Sequence, residues 1–393
     1  MHGIPGRIRT DTFIEDILLV SAESRYSGKG VAMAEPMGVG VVGCGKISGI
    51  YFENMIHRFD NLKVISCCAN HFEHAEKAAQ KYGIEAVTFD EMLADDRIGL
   101  IVNLTPVPSH YEIIKKALLA GKNVFTEKAI CLTLDEAKEV QELAKEKGLY
   151  LCSAPETFLG ESLQTARRLI DEGKIGEVTG FSVNANRKLD FLTSYFGFLN
   201  LPGGGIDLDY GVYYMTALIS LLGPVDTVSA FSQNRSPERV NCNPESPHYG
   251  EKYASPNIGQ IAAMLRTESG VMGTFLIDGE SIMSDLAHFY IYGTKGVLDL
   301  CDANGFGGTV KITSENPDFS PNVQPVDLGL PYTDNCRGIG PSEEARAIGS
   351  GSRSRTDCAM AVHVLDIFRT MEKSSEEGRA LKVETTCARP EAL

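Results

Sequence analysis

Two stretches of the chain carry side chains able to hold an oxygen and move a proton. The first, Phe125-Thr126-Glu127-Lys128, places a lysine directly after a short apolar run. If that ammonium is desolvated its pKa falls, and it can hold and polarise a substrate hydroxyl or carbonyl. The same lysine can instead be a surface group paired with Glu127. The second stretch is Gly203-Gly204-Gly205-Ile206-Asp207-Leu208-Asp209-Tyr210-Gly211-Val212-Tyr213-Tyr214. Glycines ahead of a helix start let it approach a ligand, and Asp209 and Tyr213 stand i, i+4, on one helical face. A carboxylate and a phenol so placed could take up a hydroxyl proton. The competing reading makes Asp209 a helix-start charge and Tyr213 a core aromatic.

The elements that must position these groups begin at Gly38-Val39-Gly40-Val41-Val42-Gly43-Cys44-Gly45-Lys46-Ile47-Ser48. A β-branched strand, a glycine turn and a helix start bring free backbone N–H groups and a helix dipole to one point, which is an anion site. Gly43 allows the turn, Gly45 lets the backbone approach a pyrophosphate, and Lys46 and Ile47 lead into the helix. Ser48 stands where the dinucleotide fingerprint has its third glycine. From Met37 to Ala154 apolar strands then alternate with single amphipathic helices: strands at 64–69, 100–103, 123–126 and 149–152, helices at 73–82, 111–120 and from Thr133 to Gly148. This pattern implies a parallel sheet covered on both faces, with ligands bound beyond the carboxyl ends of the strands. Lys128 falls at such an end, where a bound nicotinamide would be reachable. After the second strand come Ala69, Asn70 and His71, with no carboxylate for the ribose hydroxyls of NAD. Asn70 and His71 could donate to a 2′-phosphate, so the cofactor expected is NAD or NADP, with an inclination to NADP; Asn70 as a plain helix cap is the equal alternative.

Beyond Pro155 the pattern changes. A helix over 162–172 precedes alternating segments at 181–185, 260–265, 270–277, 289–292 and 296–300, with turns at Thr267–Gly270 and Gly293–Gly296. They predict a large, mainly antiparallel sheet with one face on helices and one open, and the open face predicts a homo-oligomer. A helix from Cys358 to Lys373 and a last segment at 381–383 follow. The fold class expected is therefore α/β: a leader (1–36), a dinucleotide-binding domain (37–154) and a substrate-binding and oligomerisation domain (155–393). The leader carries Arg7, Arg9 and a short apolar piece, but Asp11, Glu15 and Asp16 break any signal-peptide core, so export is not expected. A flexible leader, a docking arm, or a true start at Met33 or Met37 are the alternatives for it.

Composition excludes several classes. With 52 acidic against 37 basic residues the net charge is −15, which repels nucleic acid and anionic membranes. No apolar run approaches a membrane span. The 10 cysteines show no CxxC spacing, and no zinc-type cluster or HExxH occurs, so no metal is expected and reduced thiols in a cytoplasmic protein are.

These pieces together resemble the glucose–fructose oxidoreductase/inositol dehydrogenase (Gfo/Idh/MocA) family from about Gly38 to Leu393. The matching pieces are Gly43-Cys44-Gly45-Lys46-Ile47-Ser48, Thr105-Pro106 with His110, Ala120-Gly121-Lys122-Asn123-Val124 leading to Glu127-Lys128, the glycine-rich stretch ending in Asp209 and Tyr213, and Tyr290-Ile291-Tyr292-Gly293-Thr294-Lys295-Gly296. The resemblance implies a Rossmann domain, an open α/β domain and nicotinamide bound between them. It also implies that Thr105, Pro106, His110 and Glu127 border the cofactor, and that Lys128, Asp209 and Tyr213 form the active site. Ala154-Pro155-Glu156-Thr157-Phe158-Leu159-Gly160 is similar to a branch that oxidises the 3-hydroxyl of glucosides, with Glu156 a candidate for sugar hydroxyls alongside Tyr213. His248, Tyr249 and Lys252 are further candidates for substrate contact. Two departures stand out: Ala129 replaces the family's usual proline, so a trans bond is expected there because a non-proline cis bond costs about 3 kcal/mol, and Tyr213 replaces a frequent histidine. The function expected is an NAD(P)-dependent dehydrogenase of a sugar or glycoside secondary alcohol. The alternatives are a redox-assisted glycoside hydrolase and a non-catalytic dinucleotide sensor.

Overall fold

The valine-rich run after Met37 forms the first strand, β1 (Met37–Val42), in the computed structural model, which describes residues 35–282 and 287–393. The leader expected over 1–36 therefore lies outside the described residues but for Glu35 and Pro36. Next come α1 (Ser48–His57), β2 (Leu62–Cys68), α2 (Phe72–Tyr82), the two-residue β3 (Glu85–Ala86), α3 (Phe89–Ala94) and β4 (Leu100–Asn103). The half closes with α4 (His110–Leu119), β5 (Asn123–Thr126), α5 (Leu134–Lys147) and β6 (Leu151–Ser153). All six strands run parallel in the order β3-β2-β1-β4-β5-β6, the doubly wound arrangement of a dinucleotide fold. The helix signals operate as their chemistry dictates. Thr133 and Glu136 close a reciprocal capping box at the start of α5, and Gly148 ends it in the left-handed conformation. Thr88 and Glu91 form a second box on α3, a helix not anticipated although the Thr-x-x-Glu signal is in the sequence.

The second half begins with α6 (Glu161–Asp171), β7 (Val178–Asn186) and α7 (Leu189–Tyr195). A π-helical turn over Asp207–Gly211 runs into α8 (Val212–Leu222), and β8 (Val225–Gln233) follows. A two-stranded ribbon, β9 (Glu238–Val240) with β10 (Lys252–Ala254), stands apart from the main sheet. The remaining elements are β11 (Gln260–Thr267), β12 (Met272–Asp278), β13 (His288–Gly293), β14 (Val297–Leu300), β15 (Lys311–Glu315), β16 (Pro321–Pro325), α9 (Ile339–Ser350), α10 (Cys358–Glu377) and β17 (Leu381–Lys382). Nine strands form one sheet, β16-β15-β14-β13-β7-β12-β11-β8-β17, antiparallel except where β7 meets β12. Side chains alternate on it as expected: Ile261, Ala263 and Leu265 of β11 face the helices, while Met264 and Arg266 face out. Phe231, Met264 and Met272 are exposed on the outer surface. Both sheets belong to one compact unit, Glu35–Leu393. Among the described residues no helix is long and apolar enough to cross a membrane.

The chain past the large sheet returns to the first one. Asn54 of α1 donates to the carbonyls of Asn335 and Arg337, Arg58 forks onto Asp334, and Gly340 of α9 meets the Phe125 ring so closely that a Cβ there would lie 2.3 Å from Cε2. This return buries Glu344 completely, and neither carboxyl oxygen has a hydrogen-bond partner among the described residues. Burial pushes its pKa well above the ordinary carboxyl range, reinforced by the charge of Asp357. A raised folded-state pKa means stability is intact below the ordinary carboxyl value and is lost as pH climbs toward the folded-state value. Glu344→Gln should therefore flatten this decline. Its melting-temperature advantage over the native chain should widen as pH rises above the ordinary carboxyl value, by about 2–4 °C per kcal/mol recovered. Parallel melting curves against pH would remove Glu344 as the cause.

Candidate active site

At the carboxyl edge of the parallel sheet, β1 ends in the glycine turn. Gly43 has φ 100°, and a Cβ on it would press the Leu104 carbonyl at 3.0 Å, so only glycine fits the turn. Its N–H donates to the Cys68 carbonyl at the end of β2. Gly45 is exposed, with nothing within 4 Å of a Cβ built on it, and Ser48 is buried with its hydroxyl on the Gly45 carbonyl at 2.7 Å. The first turn of α1 has no intrahelical partners for its N–H groups, so an open anion cradle lies over Gly45. A dinucleotide pyrophosphate fits this observation. Ile47 is half-buried behind the turn, while Lys46 reaches across to the second half. Its Nζ donates to the Tyr195 carbonyl at 3.1 Å and lies 4.7 Å from the Phe196 ring centroid. Asn70 and His71 are exposed at the end of β2; His71, not Asn70, occupies the cap position of α2, and it makes no side-chain cap bond. The plain-cap alternative for Asn70 is thus overturned.

The next two strand ends are tied into one block. Asn103 at the end of β4 donates to Thr126 Oγ1 at 3.0 Å and accepts from the Thr105 hydroxyl at 2.8 Å, while Pro106 opens a single 3-10 turn. His110 does not face a cofactor. It is fully buried, and its two ring nitrogens lie 2.7 Å from the carbonyls of Thr105 and Ala129. It braces the Thr105 turn against the lysine segment. Glu127 is buried as well: Oε1 accepts from the Tyr51 hydroxyl at 2.9 Å and Oε2 from the Lys128 N–H at 3.0 Å. Its carboxylate is already engaged inside the protein. The Lys128–Ala129 bond is cis, against the trans expectation. Tertiary contacts, among them the His110 bond to the buried Ala129 carbonyl, decide here over local preference.

Lys128 points across to the second half. Its ammonium lies 2.6 Å from Asp209 Oδ1, 2.7 Å from the Asp209 carbonyl oxygen and 5.3 Å from the Tyr213 ring centroid. Both partners are mostly shielded, at 13% and 19% side-chain exposure. The expected fall in the lysine pKa does not occur. Burial does pull it down, but the charges of Asp209, Tyr213 and Glu127 and the hydrogen bond to Asp209 outweigh that, and the net direction is upward. Lys128 is a held cation. Nor does Asp209 serve Tyr213. The turn that carries it is π-helical, so α-helical i, i+4 spacing does not apply, and the carboxylate turns to Lys128 instead.

The Tyr213 hydroxyl faces a residue that the sequence did not single out. Arg337 Nη2 donates to it at 3.3 Å and to Asn304 Oδ1 at 2.8 Å, and Nη1 donates to Asn335 Oδ1. Burial raises the phenol pKa above its usual 10, while the positive charges of Lys128 and Arg337 pull against it. Glu156 sits behind this pair and is 1% exposed, so it cannot meet a sugar hydroxyl as expected. Its Oε1 accepts the Gly338 N–H at 3.1 Å, which anchors the loop bearing Arg337. Burial, then the charge of Glu127, lifts its pKa to about 6. His248 pairs with Glu251 and Lys252 with Glu238 at the exposed ribbon, and Tyr249 is exposed there. A small cleft beside Lys128 and Asp209 is lined also by Val107, Leu199, Gly203 and Gly204. Among the described residues no cluster of His, Cys, Asp or Glu could hold a metal ion. At the cleft stands a held cation, with a phenol between two cations beside it.

Comparison with known proteins agrees with this arrangement. Residues 37–154 match the model of the oxidoreductase family with an NAD-binding Rossmann fold, and residues 163–299 match the GFO/IDH/MocA C-terminal domain. The chain belongs to the Gfo/Idh/MocA family. An uncharacterized oxidoreductase of Schizosaccharomyces pombe is 36% identical over 141 residues, 36% of this chain and 38% of that one; the chain thus covers less than two thirds of that relative. The D-glucoside 3-dehydrogenase of Escherichia coli is 26% identical over 220 residues, 54% of this chain and 62% of that one. Levoglucosan dehydrogenase, solved in complex with NADH, has the same fold with a TM-score of 0.77 at 19% identity, over 89% of this chain and 100% of that one. In these Gfo/Idh/MocA terms, the six-stranded sheet is the Rossmann domain, the nine-stranded sheet is the partner domain, and Lys128 sits at their junction.

Proposed function

We propose that this family member is an NAD(P)-dependent dehydrogenase that oxidises a secondary alcohol of a sugar or glycoside, the 3-hydroxyl of a glucoside foremost, to the keto-sugar. The observation that carries the proposal is the Lys128 ammonium held by Asp209 under the Tyr213 ring, at the carboxyl end of β5 and within the span of the glycine turn's fold. The glucoside specificity of the Escherichia coli relative supports the substrate class. Gly43, Gly45, Lys46, Ile47 and Ser48 would hold the dinucleotide phosphates, Thr105 and Pro106 would border the nicotinamide, and Asn70 and His71 would meet the adenosine ribose or its 2′-phosphate. The bound nicotinamide supplies a hydride acceptor. Lys128 orients the substrate oxygen and stabilises the charge it gains, with Asp209 keeping the ammonium charged and in place. Tyr213, as the phenolate that the Lys128 and Arg337 charges favour, takes the hydroxyl proton and becomes the phenol.

The same proposal includes self-association through the outer sheet face, supported by exposed Phe231, Met264 and Met272; sedimentation of the purified chain reports it. The deciding experiment is to identify the nucleotide that copurifies and to screen glucosides, free sugars and inositols for NAD(P)H formation. Reduction with a glucoside or sugar, and a keto-sugar recovered from it, is expected, with NADP bound more tightly than NAD. A protein that binds the nucleotide yet reduces it with none of these alcohols would remove the proposal.

A further inference from the structure

One segment of the second half touches both the glycine turn and the lysine cleft. It runs from α7 through a 3-10 turn over Gly197–Asn200 to Gly204. At its α7 end the Tyr195 carbonyl accepts from Lys46 Nζ at 3.1 Å, and the same ammonium lies 4.7 Å from the Phe196 ring centroid. At its far end Phe198, Leu199 and Pro202 line the cleft beside Lys128, together with Val107 and Pro108 of the first half. The segment is anchored from behind. Arg239 of the ribbon, almost wholly buried, donates to Asp190 Oδ1 at 2.8 Å, to Glu280 Oε1 at 2.7 Å and to Ser255 Oγ at 3.1 Å. The Cys242 N–H donates to Ser194 Oγ, and the Thr193 and Tyr253 hydroxyls share a hydrogen bond. Asn257 Nδ2 donates to the carbonyls of Leu199 and Leu201. The Tyr195 carbonyl is therefore a fixed point on the second half, and Lys46 reaches it from the first.

We propose that Lys46 is a clasp: it holds the dinucleotide phosphates and the Tyr195 carbonyl at once, so bound cofactor ties the 189–200 segment to the first half and leaves only when that ammonium lets go. This rests on the reading of the glycine turn as the nucleotide site. Lys46 is exposed, follows Gly45 directly in the anion cradle and, among the described residues, pairs with no carboxylate. Its partners on the second half are a neutral carbonyl and an aromatic face, which attract an ammonium without cancelling its charge. A carboxylate in the place of the Tyr195 carbonyl would compete with the phosphates; a carbonyl does not. The geometry of the donor also fits, since an ammonium has three N–H groups and Tyr195 occupies one. The remaining donors are free for an anion in the cradle. Because the same segment carries Phe198 and Leu199, the clasp that retains the nucleotide also keeps those two side chains in place at the cleft beside Lys128.

The test loads the full chain with NADPH or NADH. It reads nucleotide dissociation by stopped-flow fluorescence and hydrogen exchange of peptides covering 189–200, with and without nucleotide. In the native chain nucleotide should slow exchange over 189–200. Lys46→Met should release nucleotide about tenfold faster or more, and its 189–200 peptides should exchange alike with and without nucleotide. Phe196→Ala leaves every charge in place and should release nucleotide about twofold to fivefold faster, with an unchanged association rate. A lysine that serves the phosphates alone predicts something else: native 189–200 exchange indifferent to nucleotide, and Phe196→Ala with native dissociation. Either result overturns the clasp while the nucleotide site stands. A chain that binds neither nucleotide overturns the site reading, and the clasp with it.

Discussion

Lys128→Met is expected to lower kcat/KM for the glucoside by about 10³-fold or more while NAD(P)H binding changes by less than about threefold. The size follows from what is removed. Lys128 lies 5.3 Å from the Tyr213 ring centroid, and its placement rests on two bonds to Asp209. A single charged donor aimed at a developing oxyanion is worth about 10²–10³ in rate, and this one also orients the oxygen. The substitution leaves Asp209 without its cation, so some loss of stability accompanies it. Cofactor binding and a melting curve separate that cost from the chemistry. Lys128→Arg should not restore turnover, because a planar guanidinium cannot take the place of a compact ammonium in a pocket this closed. Retained turnover in Lys128→Met would end the enzyme proposal.

The second large effect concerns the proton. Tyr213→Phe should cost about 10²–10⁴ in kcat, the usual range for a positioned acid–base group. Arg337→Gln should act through Tyr213 instead. Burial holds the phenol pKa up, and Lys128 and Arg337 both pull it down. With Arg337 gone the phenol pKa rises further, so the pH at which oxidation reaches its plateau should move up by about one unit. Oxidation at neutral pH should fall with it, while kcat on the alkaline plateau stays near native. A merely structural role for Arg337 predicts a loss that is uniform with pH. That outcome, or an unmoved pH profile, would separate Arg337 from Tyr213.

Much of the fold was legible because local chemistry and global architecture agree along the first half. Val39, Val41 and Val42 could only be a buried strand, Gly43 and Gly45 could only be a turn, and Thr133 with Glu136 capped the helix their spacing announced. The large sheet was readable for the same reason: the alternation over 260–265 and 270–277 became β11 and β12 paired residue by residue. Lys128, Asp209 and Tyr213 could be singled out because glycines and strand ends mark where a backbone opens toward a ligand.

How those groups are wired was not legible. Asp209 was matched to Tyr213 on an α-helical assumption, and the π-helical turn gave it to Lys128. The lysine pKa, expected to fall on desolvation, is raised instead, because the deciding charge lies 81 residues away in the chain. Glu127, Glu156 and His110 were read as ligand contacts and are interior braces, engaged by Tyr51, by Gly338 and by two carbonyls. Arg337 carried no signal at all, since it sits in no periodic pattern or motif, and Tyr51 stood out only as part of the helix start after the glycine turn. The physical reason is common to all of them. Strand and helix periodicity is written in residues a few positions apart, so the sequence determined the elements and the ends at which chemistry collects. Ionisation and hydrogen-bond partnership depend on charges brought together across more than a hundred residues, as Arg337 is brought to Tyr213, and only the packing of the returning chain on the first sheet decided those.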